Sequence, residues 1–193
     1  MTLALDERQV RRLVSDLEAW AIVLDVVAYR LATIQTEQIP AILEREDAME
    51  IGGEGFKQLR RAIFGVKADA HMLVLSLRQI NEHLRELRAV ASLWTDEVTR
   101  AVDEFHRHYG TEALRDMRDM LEHSAEYVAG KGRKPNRIVD PGASWPGIGS
   151  VDGQISTLQL FGNDYQLTEV IGSALLAWKS VVAEHRRITQ SSS

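Results

Sequence analysis

The stretch that decides the fold is VRRLVSDLEAWAIVLDVVAYRLATI, residues 10–34. Its apolar residues recur every three or four positions, which predicts a long amphipathic α-helix with one buried face. Asp6 followed by Gln9 resembles a capping box, so we expect the helix to begin there. Pro40 predicts a break or kink near its end, because a proline removes one helical hydrogen bond. The apolar positions are Val10, Leu13, Val14, Leu17, Trp20, Leu24, Val27, Leu31 and Ile34.

Three further helices are predicted before residue 130. An acidic loop punctuated by glycines, residues 44–55, separates the first helix from a second long apolar stripe that runs from Phe56 to Leu87. Thr95 is a suitable N-cap for a third helix, which Gly110 ends. Glu112, after Thr111, starts a fourth helix that we expect to stop near Gly130.

The chain changes character at residues 130–154, which are rich in glycine and proline. Residues 155–161 then alternate between apolar and polar, and residues 162–164 read Gly-Asn-Asp, so a short β-hairpin is expected. A last helix is predicted from about Thr168 to Arg187. The sequence therefore predicts an all-α fold, an antiparallel bundle of about five helices. One domain spans residues 1–190, with a loop and hairpin-like insert at about 130–165.

Composition excludes several classes of function. The 193 residues contain no cysteine, so disulfides, thiolate metal sites and cysteine nucleophiles are excluded. No apolar run is long enough to span a membrane, and the charged N-terminus lacks a signal core, so we expect a soluble cytoplasmic protein. The net charge of −5 argues against a protein coated with basic residues. Paired Glu-x-x-His units and phosphate-binding glycine loops are missing, so neither metal nor cofactor is expected.

The fourth predicted helix carries the residues most suited to chemistry, Arg118-Asp119-Met120-Leu121-Glu122-His123. Asp119 and His123 are four positions apart and are therefore neighbours on one helical face. Arg118 flanks that face, about 140° around the helix from His123. A histidine can take the proton from a ribose 2′-hydroxyl, a guanidinium can stabilise the charged phosphate, and a carboxylate can orient the imidazole. The segment therefore favours RNA cleavage without a metal.

This segment resembles the motif of the HEPN superfamily, in which an arginine and a polar residue precede a histidine on a late helix of an all-α bundle. The resemblance implies a metal-independent endoribonuclease, often a toxin or an anti-phage effector. It also implies a homodimer in which both chains contribute to one cleft, and it implies an antitoxin or regulatory protein as a further partner. One subfamily has a tyrosine two residues after the histidine that a nucleotidyltransferase antitoxin modifies. Here that position is Ala125, so we do not expect this regulation.

Other interpretations of the same residues remain open. An arginine followed by a histidine at similar spacing also occurs at Arg78/His83 and at Arg100/His106, and the first of these is the fallback pair. Arg118, Asp119 and His123 also suit a solvated helix face without catalysis. The alternative function is therefore a non-catalytic helical bundle that acts through protein contacts, such as a degenerate HEPN scaffold.

A basic segment follows the motif. The run GKGRKPNR, residues 130–137, is expected either to bind RNA phosphates beside the catalytic face or to be a charged linker. Its cations are Lys131, Arg133, Lys134 and Arg137.

Overall fold

The computed structural model describes residues 5–123, 147–151, 154–160 and 162–191. Most of these residues are helical, and a small antiparallel sheet precedes the last helix, as the sequence predicts. The helices are α1 (Glu7–Thr33), α2 (Ile39–Leu43), α3 (Glu54–Leu87), α4 (Asp96–Tyr109), α5 (Glu112–Glu122) and α6 (Thr168–Ser191). The strands are β1 (Gly147–Val151), β2 (Gln154–Leu160) and β3 (Asn163–Gln166).

The predicted helix starts are confirmed by their hydrogen bonds. The backbone N–H of Asp6 donates to Oε1 of Gln9 at 2.8 Å, and the N–H of Gln9 donates to Oδ1 of Asp6 at 2.7 Å. This reciprocal pair is the capping box, which satisfies two amides that the first turn leaves without helical partners. Thr95 caps α4, since its Oγ1 accepts from the N–H of Val98 at 3.3 Å.

The end of α1 widens into a π-helical turn, Ile34–Gln38, before α2 begins. Pro40 explains the change, because it has no N–H to donate to the carbonyl four residues earlier and its ring crowds that carbonyl. The N–H of Ile39 donates instead to the carbonyl of Ile34, five residues back. The sequence predicted a break or kink near Pro40, and the structure instead has a π turn there through which the chain stays helical.

The acidic loop before α3 is ordered by one carboxylate. Oδ2 of Asp47 accepts from the N–H of Gly55 at 2.8 Å, in the first turn of α3, and Arg45 Nε lies 3.0 Å from Oδ1. These contacts lower the pKa of Asp47 to about 2, chiefly through the Arg45 hydrogen bond and then through the Gly55 amide. A Cβ at position 55 would overlap Oδ1 of Asp47 and lie 3.0 Å from the amide nitrogen of Ala48. Glycine is therefore required where the loop crosses the helix start.

The chain divides into two compact units. The first unit comprises Met1–Asp25, Val74–Thr111 and Glu169–Ser193, and so contains α4 and most of α6. Ion pairs join its helices: Arg186 contacts Glu18 at 3.3 Å, and the ring of His108 lies 3.1 Å from Glu169. Its fully buried side chains include Leu17, Leu24, Leu77, Ile80, Leu84, Leu87, Val102, Phe105, Ala174, Ala177 and Val181.

The second unit comprises Val26–Leu73 and Glu112–Thr168, and so contains α2, α5 and the sheet. The strand order is β1-β2-β3, with Leu158 opposite both Ile148 and Tyr165. The hairpin predicted around residues 162–164 is confirmed as β2–β3. Strand β1 was not predicted, because it lies in the glycine- and proline-rich segment that was interpreted as a loop. The strict alternation expected along β2 is interrupted, because the register against β1 shifts between Gly149 and Ser150. Ile155 and Leu158 are consequently both buried although three positions apart.

Three sequence expectations concern membrane-spanning helices, the number of domains and the end of the fourth helix. Among the residues that the structure describes, no helix is both long and apolar enough to cross a lipid bilayer. The assignment of residues 1–190 to one domain stays a prediction. The predicted end of the fourth helix near Gly130 lies outside the described residues, which stop at His123 before resuming at residue 147.

Candidate active site at the end of helix α5

Helix α5 is held by one apolar face. Its buried side chains are Leu114, Met117, Met120 and Leu121. The hydroxyl of Tyr165 in β3 points to Sδ of Met120 at 3.3 Å, which joins the helix to the sheet. Asp116 is also buried, at 4% exposure, and it has partners within the protein. The sequence did not indicate this burial, because a carboxylate in a charged helix usually faces solvent.

The three motif residues lie together at the C-terminal end of α5. Arg118 and Asp119 are half-buried on the helix, and His123 is the first residue beyond it and is also half-buried. The N–H of His123 donates to the carbonyl of Asp119 at 3.0 Å, so the helical turn continues through the histidine backbone. Each of the three residues has an interaction within the protein. Asp119 and His123 are therefore one helical turn apart, as their spacing predicts.

His71 in α3 fixes this end of the helix, and sequence reasoning missed it. Its Nε2 lies 2.8 Å from the carbonyl oxygen of Leu121, and its Nδ1 lies 2.8 Å from the carbonyl oxygen of Lys67. Both ring nitrogens face carbonyl oxygens, and a neutral ring can donate to only one of them, so His71 donates to Leu121 in the tautomer that carries the proton on Nε2. His71 is therefore a positioning residue for the turn that carries His123. A contact across 50 residues of sequence leaves no signal in local spacing.

The fallback pair is engaged in contacts along α3. Nε of Arg78 lies 3.0 Å from Oε1 of Glu82, and Nδ1 of His83 lies 2.7 Å from the carbonyl oxygen of Gln79. These are short-range contacts within one helix, of the type that stabilises helices modestly. These contacts are consistent with a role of Arg78 and His83 in stabilising helix α3.

Two other sequence expectations, the basic RNA-binding segment and the absence of a metal site, stay predictions. The cations Lys131, Arg133, Lys134 and Arg137 lie outside the described residues. Within residues 5–123 and the described parts of 147–191, no three histidine, aspartate or glutamate side chains are grouped so that they could hold a metal ion.

Comparisons with known proteins do not place the chain in a family. No protein-family model matches it, and neither curated proteins nor solved structures give a match.

Proposed function

We propose that this chain is a HEPN-like, metal-independent endoribonuclease of the toxin or anti-phage effector type. In this proposal it is an antiparallel helical bundle that acts as a cytoplasmic homodimer, with RNA as substrate and an antitoxin or regulatory protein as a further partner. The observation that carries the proposal is the Arg118-Asp119…His123 segment at the end of α5, with Asp119 and His123 one helical turn apart, all three residues half-buried, and the Leu121 carbonyl in contact with His71 of α3.

Each motif residue has a role in the proposed reaction. His123 takes the proton from the ribose 2′-hydroxyl or donates one to the leaving 5′-oxygen. Arg118 binds the phosphate and stabilises the charge that grows on its non-bridging oxygens. Asp119, one turn before His123, orients the imidazole. A two-fold dimer would supply a second histidine, so that one acts as the base and the other as the acid.

The test is cleavage of RNA by purified variants in the presence of EDTA. We expect wild type to cut RNA and to leave a 2′,3′-cyclic phosphate. His123→Ala and Arg118→Ala should each lose activity, by about 10²- to 10⁴-fold for the histidine, since that is the usual contribution of a general acid or base.

His83→Ala is the matched control, because it removes a half-buried histidine whose recorded ring contact is within its own helix. Its activity should equal that of wild type. Full cleavage by His123→Ala would reject the proposed mechanism, because the cleavage would then come from other residues or from a contaminating nuclease. A loss shared equally by His83→Ala would point to misfolding or to the fallback pair Arg78/His83.

The second candidate is a non-catalytic protein that acts through contacts with a partner. It is favoured by Ile22, Val26 and Tyr29 of α1, which are 51%, 49% and 70% exposed. These apolar side chains recur at helical spacing, and a patch of this kind often marks a protein contact. Val26→Arg tests this candidate, because a charge in the patch should abolish partner binding. If Val26→Arg loses partner binding and wild type also cleaves RNA, the protein has both activities. If wild type does not cleave RNA, only the non-catalytic candidate remains.

A further inference from the structure

A cavity of about 380 Å³, open to solvent along one side, lies on the surface of the first unit between the C-terminal turns of α3 and α4. Asn81, Arg85 and Arg88 line one side, at positions i, i+4 and i+7, which share a helical face. His106, Tyr109 and Gly110 line the other side. The volume is near the lower end of the range for small-molecule sites, about 300–1,000 Å³, so it suits a compact ligand.

Arg88 makes three side-chain contacts at this cavity, although its side chain is 53% exposed. One of its terminal nitrogens lies 3.1 Å from Oδ1 of Asp103 and 3.4 Å from Nδ1 of His106. Its guanidinium also stacks over the ring of Trp94, with 5.6 Å to the ring centroid. The indole N–H of Trp94 in turn donates to the carbonyl of Leu87 at 2.9 Å. A guanidinium held from three sides loses little conformational freedom when it binds an anion.

Arg85 and Asn81 provide donors that the protein does not use. Among the residues that the structure describes, neither side chain has a hydrogen bond or an ion pair. Arg85 is exposed, and Asn81 is half-buried. Since Asp103 balances only Arg88, the cavity keeps one uncompensated positive charge.

The pKa of His106 reflects its burial and the positive charges at the same cavity. Burial lowers its pKa first, Arg88 and then Arg85 lower it further, and Asp103 opposes them. The ring is therefore neutral at pH 7, which leaves Nδ1 as the acceptor for Arg88 and the proton on Nε2. Nε2 is buried and has no hydrogen-bond partner among the described groups, which is unfavourable for a buried donor.

We propose that this cavity binds the phosphate group of a small ligand through Arg85, Arg88 and Asn81. A phosphate presents several oxygens to several donors, and the guanidinium fork matches two of them at once. This site is separate from the Arg118-Asp119…His123 segment and does not depend on the proposed ribonuclease activity. Arg88 supplies the fixed donor, Arg85 supplies the uncompensated charge, and Asn81 donates to a third oxygen.

The test is a titration of the full chain with inorganic phosphate at constant ionic strength, followed by NMR of arginine side chains, the Asn81 amide and the His106 ring. We expect saturable shifts at Arg85, Arg88 and Asn81. The pKa of His106 should rise as phosphate binds, because a nearby anion favours the imidazolium.

Arg85→Ala should weaken phosphate binding about tenfold, since it removes a charge-assisted hydrogen bond. Asn81→Ala should weaken binding about threefold, as expected for a neutral one. Arg8→Ala is the matched control, because Arg8 is an exposed arginine of α1 and its loss changes the net charge equally. Equal weakening by Arg8→Ala and Arg85→Ala, or shifts that never saturate in wild type, would overturn the proposal and leave the arginines as counter-charges for the end of α3.

Discussion

Asp69 is the buried carboxylate with the clearest energetic consequence. It lies on α3 at 4% exposure, and a terminal nitrogen of Arg30 lies 3.2 Å from its Oδ2. Oδ2 nevertheless has no well-formed hydrogen bond among the described groups. Burial raises the pKa of Asp69, and Arg30 offsets this only in part. The folded state therefore favours the neutral acid, and ionisation at neutral pH costs stability.

Replacing Asp69 with Asn should raise Tm at pH 7, because the amide keeps the shape without the buried charge. The group has a raised folded pKa, so its stabilising neutral form dominates below the unfolded value, near 3.8, and is lost as pH rises through the folded value. The advantage of Asp69→Asn should therefore shrink towards pH 3. Thermal unfolding of both proteins from acid to neutral pH measures it.

Asp16→Asn is the control for this experiment, since Asp16 forms only an exposed pair with Arg12 at 3.8 Å. It should change Tm little at any pH, as is usual for surface pairs. A lower Tm for Asp69→Asn at pH 7 would mean that the Arg30 ion pair outweighs the cost of burial.

Single residues also show what spacing can predict. Asp6 with Gln9, and Thr95, were identified because capping depends on residues three positions apart. Asp119 and His123 were placed one turn apart, with Arg118 flanking them, because residues four positions apart share a helical face. His71, Asp116 and the Arg85–Arg88–His106 group were missed because their environments come from tertiary packing, which local periodicity does not encode.

At the scale of elements, the start of α3 gives a matched pair of glycine substitutions. Gly55→Ala should lower stability, because the new Cβ displaces the Asp47 carboxylate that accepts from the Gly55 amide. Gly65→Ala, in the same helix, meets nothing within 4 Å. It should raise stability by about 0.4–1 kcal/mol by reducing the freedom of the unfolded chain. Chemical unfolding measures the change in the free energy of unfolding for each variant. An increase in the free energy of unfolding for Gly55→Ala would show that the loop adjusts freely to the new Cβ.

The end of α5 gives a second test, independent of any enzymatic activity. In His71→Gln the amide nitrogen can stand near the position of Nε2 and still donate to the Leu121 carbonyl. In His71→Asn the shorter side chain reaches only the position of Nδ1. We expect faster hydrogen exchange of the His123 amide, which donates to Asp119, in the Asn variant but not in the Gln variant. Equal exchange in both variants would mean that His71 does not hold this turn.

The elements themselves were more predictable than their connections. Periodicity over long stretches fixed α1, α3 and α6, because one apolar face must be buried along the whole helix. β1 was missed because Gly147 and Gly149 read as loop residues, yet Gly149 is needed where a side chain would strike Oγ1 of Thr157. The glycine that suggested a loop is thus part of the strand pairing.

For the whole molecule, the proposed composite site requires two chains. We expect light scattering to show a homodimer, in which each cleft contains a His123 and an Arg118 from both subunits. Mixing the inactive Arg118→Ala and His123→Ala proteins should raise RNA cleavage above that of either protein alone, because the mixed dimer regains one His123 and one Arg118. Cleavage should stay below that of wild type, since the second histidine that serves as acid or base is missing. A strict monomer at tens of micromolar, or a mixture that exchanges subunits and stays inactive, would argue against a shared site.

The π-helical turn at Ile34–Gln38 has a consequence for insertions and deletions. Loss of one residue from an ordinary α-helix turns every later side chain by about 100°, so it moves buried residues to the surface. A turn closed by a bond from Ile39 to Ile34 already holds one residue more than an α-helical turn. If Pro40 is also replaced by a residue with an N–H, deletion there can convert it to a normal turn while α2 and the following loop keep the same faces towards their surroundings. Homologous chains of this fold can therefore differ in length by one residue at this turn without changing what the rest of the helix buries.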